Sequence, residues 1–278
     1  MTDDEVVRHA DDPLDLRLSE AELEAHREHI TTFIRDMLDA AGADRAVIGL
    51  SGGIDSTLTS HLAVEALGRD RVHGLVMPSE VNAEANMSDA ERVAADLLDV
   101  EYDVVEINPL VDAVLDAYPD AEGDQLAVGN LRVRTRALLN YLVANHENAL
   151  VLGTGNRSEA LVGYFTKYGD GAVDCHPIAN LYKGQVRQLA KHVGVPENLA
   201  EKTASAEMWV DQTDETELGV DYETLDSILA LHVDGPLSTS ATARTIGVDE
   251  DVVAHVRDLY ESSAHKRRVP PGPDPIFP

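Results

Sequence analysis

The chain has 278 residues, of which 51 are acidic and 22 are basic, and its formal net charge is −29. This charge argues against nucleic acid or an anionic membrane as the main partner, because an acidic surface repels phosphate groups. Only five of the basic residues are lysines. An excess of acid with so few ammonium groups favours the solvated surface of a halophile, and an acidic mesophilic enzyme is the alternative.

The single cysteine, Cys175, excludes an internal disulfide and is typical of a reducing cytoplasm. The N-terminus is acidic and polar, and no segment reaches the ~18 consecutive apolar residues of a membrane span. We therefore expect a soluble, cytoplasmic protein. Cys175 is interpreted as a small packing residue, and His61, His73 and His146 show no metal-ligand spacing.

The first predicted element is a helix over 19–41, which begins with a capping box of Ser19 and Glu22 and ends at Gly42. The apolar run at 45–50 predicts a strand buried on both faces. Helices are then predicted at 56–67, 87–99, 109–117 and 126–147, and strands at 71–77, 102–107 and 149–153. This alternation predicts an α/β fold with a doubly wound parallel sheet flanked by helices.

The pattern after residue 182 is mostly helical, with helices predicted at 182–193, 222–231, 239–245 and 248–263. Two polar stretches, 78–86 and 204–221, are expected to be lid loops, and Trp209 would cover the site. We expect one domain over residues 1–278. Its parts are an N-terminal helical segment (1–44), an α/β core (45–203), the lid loop (204–221) and a helical C-terminal part with a tail (222–278).

The stretch IGLSGGIDST joins the first strand to its helix. Gly52 and Gly53 let the backbone approach an anion, and the helix N-terminus with the Ser51 and Ser56 hydroxyls adds donors. A Walker-type phosphate loop would carry a lysine here, and this loop has none. A pyrophosphate would fit the loop. Asp55 is then best explained as a Mg²⁺ ligand, and an acid interacting with the helix dipole is the alternative.

This loop resembles that of the N-type ATP pyrophosphatases, which split ATP between its α and β phosphates to adenylylate a substrate. Segments 123–136, 152–187, 214–226 and 263–270 are in addition similar to the ammonia-dependent NAD synthetases, so the resemblance covers nearly the whole chain from about residue 45. It implies an adenine nucleotide alpha-hydrolase-like fold. The implied reaction is ATP-dependent amidation of deamido-NAD to NAD, the last step of NAD biosynthesis, with release of AMP and pyrophosphate.

The same resemblance implies ATP, deamido-NAD and ammonia as substrates and Mg²⁺ as the cofactor. It assigns catalytic roles to Asp55 and Lys183, and it makes Asp55 and Glu159 the metal ligands. These two acids each follow a strand of the predicted sheet. The implied ATP-binding residues are Gly49, Leu50, Ser51, Gly52, Gly53, Ile54, Asp55, Ser56, Thr154, Lys183 and Ser205. The implied deamido-NAD-binding residues are Arg134, Lys167, Asp174, His265 and Lys266.

Three arginines, Arg132, Arg134 and Arg136, share one predicted helix. The apolar stripe of this helix consists of Leu131, Leu138 and Leu142. At about 100° per residue, Arg134 flanks this stripe and the other two arginines point away. Solvated charges are the ordinary interpretation of all three, whereas the resemblance makes Arg134 a deamido-NAD ligand.

The resemblance further implies a homodimer. The helices at 19–41 and 126–147 are apolar enough to form its interface, but they could equally cover the sheet. Free ammonia is the expected nitrogen source, because about 44 residues ahead of the first strand are too few for the amidase domain of glutamine-dependent relatives. A separate subunit that delivers ammonia stays open, and the motifs offer no general base for it.

Two alternatives come from other classes of protein. A tRNA-thiolating enzyme shares the loop but would need a basic RNA-binding surface, which the net charge of −29 opposes. A regulatory nucleotide-binding module without catalysis would have no reason to pair Asp55 with Glu159.

Overall fold

The computed structural model of the protein describes residues 14–81, 89–202, 204–205, 208–209, 212–274 and 276. In this part of the chain one parallel sheet has the strand order β3-β2-β1-β4. Its strands are β1 (Arg45–Leu50), β2 (Val72–Val76), β3 (Glu101–Val104) and β4 (Ala149–Val151). In the register of the sheet, Ala46 of β1 lies beside Val72 on one side and Leu150 on the other. The predicted α/β fold with a parallel sheet is confirmed.

Helices cover both faces of this sheet and form the C-terminal part. They are α1 (Glu20–Ala41), α2 (Ile54–Leu67), α3 (Asn108–Ala117), α4 (Gln125–Glu147), α5 (Arg157–Val162), α6 (Lys183–His192), α7 (Glu197–Ala200), α8 (Asp214–Leu218), α9 (Tyr222–Ile228), α10 (Thr239–Ile246) and α11 (Glu250–Ser262). A further helical segment over 89–98 contains a π-helix, Val93–Leu98, and a second π-helix, Leu229–Val233, follows α9. No helix in the described part of the chain combines the length and apolarity of a membrane span.

The order of the strands positions the site. From β1 the chain adds β2 and then β3 on one side, and it later returns to add β4 on the other side of β1. The gap between β1 and β4 is therefore the topological switch point, where open α/β sheets bind ligands beyond the carboxyl ends of their strands. The segments that follow β1 and β4 meet at this edge.

Three apolar clusters hold the elements together. The largest joins one face of the sheet to α1, α2 and α6, through side chains such as Ile34, Leu58 and Leu189. A second cluster joins the other face to α3 and α4. The third packs α9, α10 and α11 around Tyr222 and includes Val162 of α5. Because α5 also follows β4, this third cluster connects the C-terminal helices to the edge of the sheet that carries the site.

Three short helices, α5, α7 and α8, were not predicted. Each has only four to six residues, too few for a hydrophobic period to be read. Helix α8 lies inside the stretch 204–221, which was predicted to be a loop. Of the other predicted lid, 78–86, only residues 78–81 fall within the described part.

The interpretation of Arg132 as a solvated charge on α4 was wrong. Leu138 and Leu142 are 65% and 63% exposed, whereas Arg132 is buried. The guanidinium of Arg132 donates to Glu80 Oε1 at 2.7 Å and to the Met208 carbonyl at 3.2 Å, and Arg136 donates to the Met77 carbonyl at 3.0 Å. These arginines face loops that supply acceptors, so distant partners rather than the apolar stripe orient the helix.

Candidate active site

The loop after β1 is preorganised by its two serines. Gly52 has a φ of +74°, a left-handed conformation that glycine adopts without strain, and Gly53 caps α2. The Ser51 hydroxyl accepts the Gly53 N–H at 3.2 Å and lies 3.1 Å from the Ser56 hydroxyl, which donates to the Gly53 carbonyl at 3.1 Å. The N–H groups of the first turn of α2 have no partners within the helix, so this turn can accept an anion.

A single asparagine connects the loop to the segment after β4. Asn156 is fully buried and caps α5 in a capping box with Glu159. Its side-chain oxygen accepts the Glu159 N–H at 3.0 Å, and its side-chain nitrogen donates to Asp55 Oδ1 at 2.9 Å. Glu159 Oε2 accepts the Asn156 N–H at 3.2 Å in return. The two carboxylates predicted to share a metal are thus held by the same residue.

Lys183 lies between these carboxylates. Its ammonium donates to Asp55 Oδ2 and, at 3.4 Å, to Glu159 Oε1. The side chain is only 2% exposed, and Nζ lies 5.2 Å from the ring centroid of Tyr222. The structure therefore brings together three predicted site residues that come from α2, α5 and α6.

The charges in this cluster perturb one another strongly. Burial, with the nearby Asp55 carboxylate, raises the pKa of Glu159 to about 8. Burial alone would lower the pKa of Lys183, but the carboxylates of Asp55 and Glu159 outweigh it and hold that pKa above its ordinary value. Lys183 is hence charged at every pH of interest. The Glu159 carboxyl therefore holds its proton more tightly than an exposed glutamic acid does.

A buried carboxylate fixes the start of α6, where Lys183 lies. Asp226 Oδ2 accepts the Gly184 N–H at 2.8 Å, and its Oδ1 accepts the Ser158 hydroxyl proton. The Ser158 oxygen in turn accepts the Lys183 N–H at 3.0 Å. Burial raises the pKa of Asp226. This network ties α5, α6 and α9 together, so it sets the position of Lys183 relative to Glu159.

A second buried acid, Asp214, lies at the start of α8 and lines the same site. It accepts the Tyr222 hydroxyl proton at 2.8 Å, and burial raises its pKa. Tyr222 therefore connects Asp214 to the Lys183 ammonium that its ring faces. The stretch 204–221, which was predicted to be a lid loop, thus contributes an acid to the site.

One cavity of about 860 Å³ joins most of the predicted residues. Those that line it are Gly49, Leu50, Ser51, Gly53, Ile54, Asp55, Ser56, Arg134, Thr154, Glu159, Lys167, Lys183, Ser205, His265 and Lys266. Gly52 and Asp174 are not among its lining residues. Gly52 nevertheless belongs to the loop, so Asp174 is the one predicted residue that stands apart.

The far end of the cavity carries the basic residues. The Arg134 guanidinium donates to the Lys167 carbonyl at 3.2 Å, and Lys167 Nζ lies 3.5 Å from His265 Nδ1. Lys266 donates to the carbonyls of Gly163 and Phe165, at 2.7 and 2.8 Å. Residues about a hundred positions apart in sequence therefore form one basic end of the cavity.

Two other predicted residues have partners within the protein. Asp174 accepts the Val151 N–H at 2.7 Å and the Tyr141 hydroxyl proton at 3.2 Å, so it fastens the edge of β4. The Ser205 hydroxyl donates to the Gln212 carbonyl at 2.7 Å. Cys175 is buried, and burial raises the pKa of its thiol to about 11, which agrees with a packing role.

Sequence reasoning missed several residues of the site. Asn156 carries a readable signal, because an Asn three residues before a Glu is a capping-box pattern. Asp214 lies in the stretch 204–221, which was predicted to be a lid loop. Ser158, Asp226 and Lys202 carry no local signal, since their partners lie 25 to 150 residues away along the chain.

A parallel sheet with a Ser-Gly-Gly loop at its switch point, two carboxylates and a buried lysine is typical of a nucleotide-binding α/β enzyme. Residues 26–270 match the NAD synthase family, and the chain belongs to that family. It is 62% identical to the NH(3)-dependent NAD(+) synthetase of Halobacterium salinarum, over 94% of this chain and 97% of that protein. It is 48% identical to the NH(3)-dependent NAD(+) synthetase of Hyperthermus butylicus, with 93% of each chain covered.

Among solved structures, the NH3-dependent NAD synthetase of Campylobacter jejuni superposes with a TM-score of 0.76 at 31% identity, over 91% of this chain and 99% of that one. NMN synthetase of Francisella tularensis superposes with a TM-score of 0.79 at 32% identity, over 94% of this chain and 100% of that one. The similarity to a protein from Halobacterium supports the halophilic character predicted from the acidic composition.

Proposed function

We propose that this chain is an ammonia-dependent NAD synthetase, a ligase that converts deamido-NAD to NAD at the expense of ATP. The observation that carries the proposal is the meeting of Asp55, Asn156, Glu159 and Lys183 beside the phosphate loop, in a chain of the NAD synthase family. The rival classes fit less well, because neither an RNA-thiolating enzyme nor a regulatory module accounts for the similarity over 94% of the chain.

The proposed reaction has two steps. A carboxylate oxygen of the nicotinate ring attacks the α-phosphorus of ATP, the bond to the β-phosphate oxygen breaks, and pyrophosphate leaves. Ammonia then attacks the activated carbonyl carbon, loses a proton, and displaces AMP. The ATP is needed because a free carboxylate is a poor acylating group, whereas the mixed anhydride carries a phosphate leaving group. The proton acceptor for ammonia is not assigned to any residue.

The residues of the loop and of α6 would stabilise the charge that develops in the first step. Backbone N–H groups at the N-terminus of α2 and the Ser51 and Ser56 hydroxyls would hold the phosphate oxygens. The Lys183 ammonium, which is always charged, would offset the negative charge on the departing pyrophosphate. Thr154 and Ser205 line the cavity and would contact the nucleotide.

An enzyme of this family that uses ATP requires a divalent metal, and we propose Mg²⁺ held by Asp55 and Glu159. Both are oxygen donors, the ligands that Mg²⁺ prefers, and both already converge on one cation, the Lys183 ammonium. The described residues contain no group of three or more His, Cys, Asp or Glu that could hold a metal by itself. Phosphate oxygens and water would complete the coordination, and the metal would neutralise phosphate charge when bound.

The basic end of the cavity would bind deamido-NAD. Arg134, Lys167, His265 and Lys266 provide cationic or hydrogen-bonding groups for its pyrophosphate and nicotinate carboxylate. Asp174 would contribute through the position of β4, because both of its oxygens are already occupied within the protein. A cytoplasmic location remains a prediction from the single cysteine of the chain.

The test is an assay of NAD formation from deamido-NAD, ATP, Mg²⁺ and ammonium at high KCl, with AMP and pyrophosphate followed together. We expect one AMP and one pyrophosphate for each NAD. Asp55→Asn should lower kcat by roughly 10²- to 10³-fold, because it removes a proposed metal ligand beside the phosphates. Asp251→Asn, in the first turn of α11, is the matched control, because it removes only an acid that interacts with a helix dipole.

Two outcomes would contradict the proposal. Folded protein that forms no NAD across a salt series would overturn it, and so would release of ADP in place of AMP. A parallel assay with nicotinic acid mononucleotide addresses the similarity to NMN synthetase. We expect kcat/KM for the dinucleotide to be at least about tenfold higher, because the relatives at 62% identity are named NAD synthetases.

We also propose that the protein is a homodimer whose interface includes α4. Leu138 and Leu142 of α4 are 65% and 63% exposed, and the adjoining α3 exposes Leu110 and Val114. An apolar patch on contacting helices is typical of a subunit interface. We expect the double change Leu138→Glu and Leu142→Glu to convert a dimer to a monomer in light scattering, whereas Val269→Glu, at an 86% exposed position in the tail, should not. A monomeric wild-type protein would disprove this arrangement.

A further inference from the structure

Lys202 lies against the phosphate loop, although it comes 150 residues later in the chain. Its ammonium donates to the Gly52 carbonyl at 3.2 Å and to Asp89 Oδ2 at 2.7 Å. It lines the same cavity as Ser51, Gly53 and Asp55. Because an ammonium has three donors, these two contacts leave capacity for a further acceptor.

The composition makes this position noteworthy. Only five lysines occur among 278 residues, and four of them, Lys167, Lys183, Lys202 and Lys266, line the cavity. The fifth, Lys191, forms an exposed pair with Glu201 at 2.8 Å. Lys202 has an acid partner of the same kind, but its side chain is only 23% exposed and that of Asp89 only 18%. Lys191 is therefore an ordinary exposed surface charge. A role in surface solvation does not explain why Lys202 occupies a mostly covered position.

The loop has no lysine of its own, and Lys202 is placed to supply one. A Walker-type loop carries a lysine within its own sequence that reaches the β and γ phosphates, and SGGIDS has none. Lys183 would act on the phosphates from its place between Asp55 and Glu159, so a second lysine beside the loop would add to its charge. A pyrophosphate bears several negative charges and would compete with the single carboxylate of Asp89 for the Lys202 ammonium.

We propose that Lys202 binds the β and γ phosphates of ATP and the pyrophosphate that they become, and thus supplies from a distant segment the lysine that the loop lacks. This inference rests on the proposed function, in which ATP is split between its α and β phosphates. Asp89 holds the ammonium at the Gly52 carbonyl and gives it up to the phosphates. AMP keeps only the α phosphate and does not depend on Lys202.

The test measures binding of inorganic pyrophosphate and of AMP, each with Mg²⁺, by calorimetry at high KCl. Lys202→Met should weaken pyrophosphate binding about 10- to 100-fold, the effect of removing a charge-assisted hydrogen bond, and should leave AMP binding within twofold. Lys191→Met is the matched control, and we expect it to change neither dissociation constant. The melting temperature of each variant is recorded alongside.

Asp89→Asn separates the proposal from a purely structural clasp. If Lys202 binds phosphate, freeing it from the Asp89 carboxylate should leave pyrophosphate binding unchanged or tighter. If Lys202 only clasps Asp89 to the loop, Asp89→Asn should weaken pyrophosphate binding as much as Lys202→Met does, and this result would overturn the proposal. Unchanged pyrophosphate binding in Lys202→Met would also overturn it. If the wild-type protein did not bind pyrophosphate at all, this result would instead contradict the proposed function, on which the inference rests.

Discussion

Replacing Lys183 by Met is expected to lower kcat for NAD formation by about 10²- to 10³-fold, the effect of removing one preorganised group that stabilises charge in the transition state. The side chain is buried between Asp55 and Glu159, and no other described cation contacts both carboxylates. Its pKa is held high by these acids, so the positive charge is present at every pH at which the enzyme would be assayed. The measurement is steady-state NAD formation with saturating substrates and Mg²⁺.

The same change should lower stability, because it leaves two partly buried acids without their cation. Breaking a buried ion pair from one side costs roughly 3–5 kcal/mol, and the loss should appear as a lower melting temperature in EDTA. Mg²⁺ should restore part of it, since a metal would take the place of the ammonium between the acids. Lys191→Met controls for loss of a lysine in an exposed pair. Near wild-type turnover in Lys183→Met would refute the catalytic role.

Replacing Glu159 by Gln is expected to abolish most activity and yet raise the melting temperature at alkaline pH. The pKa of Glu159 is raised from 4.5 to about 8 by burial and by Asp55. The folded state therefore holds a proton more tightly than the unfolded state does. This contribution to stability is fully present below about pH 4.5 and is lost as the pH rises through about 8. At pH 9 the wild-type protein keeps a partly buried carboxylate that Asp55 repels and that Gln lacks.

The experiment compares thermal unfolding of both proteins in EDTA from pH 5 to pH 9. The melting temperature of Glu159→Gln should exceed that of the wild type at pH 9 by several degrees, at roughly 2–4 °C per kcal/mol, and the difference should shrink toward pH 5. Glutamine can still accept the Asn156 N–H in the capping box. Glu22→Gln, at the equivalent capping-box position of α1, is the matched control and should show no such pH dependence.

Mg²⁺ should reverse the order of the two melting temperatures. Mg²⁺ is expected to stabilise the wild-type protein at pH 9 and to have little effect on Glu159→Gln, because the variant has lost one of the two proposed ligands. Turnover of the variant should fall by about 10²-fold. An equal Mg²⁺-dependent rise in melting temperature for both proteins would show that Glu159 does not bind the metal. If Glu159 does bind the metal, the lower stability of the metal-free wild-type protein at alkaline pH is a consequence of that function.

Local sequence patterns predicted the elements that build the first half of the site. The capping box of Ser19 and Glu22 marks the start of α1, and the run at 45–50 is the buried strand β1. The Ser-Gly-Gly turn with Asp55 then follows necessarily at the carboxyl edge of that strand. These signals are reliable because each depends on residues within a few positions of one another.

The orientation of α4 shows the limit of what local sequence patterns can predict. The sequence left open whether this helix covers the sheet or forms a subunit interface, and it favoured solvated charges for its three arginines. In the structure Arg132 is buried because Glu80 and the Met208 carbonyl supply acceptors from two other segments. A helical period gives which residues share a face, but it does not say which face the rest of the chain covers.

The sequence by itself therefore determined the parallel α/β fold and the Ser-Gly-Gly loop after β1, and it indicated Asp55, Glu159 and Lys183 as candidate site residues. Only the tertiary structure decided that Asn156 joins Asp55 to Glu159, that Asp226 and Ser158 position Lys183, and that Lys202 reaches the Gly52 carbonyl. The reason is that each of these contacts closes a loop of 25 to about 150 residues. Their geometry depends on how whole helices pack on the sheet, which no local spacing records.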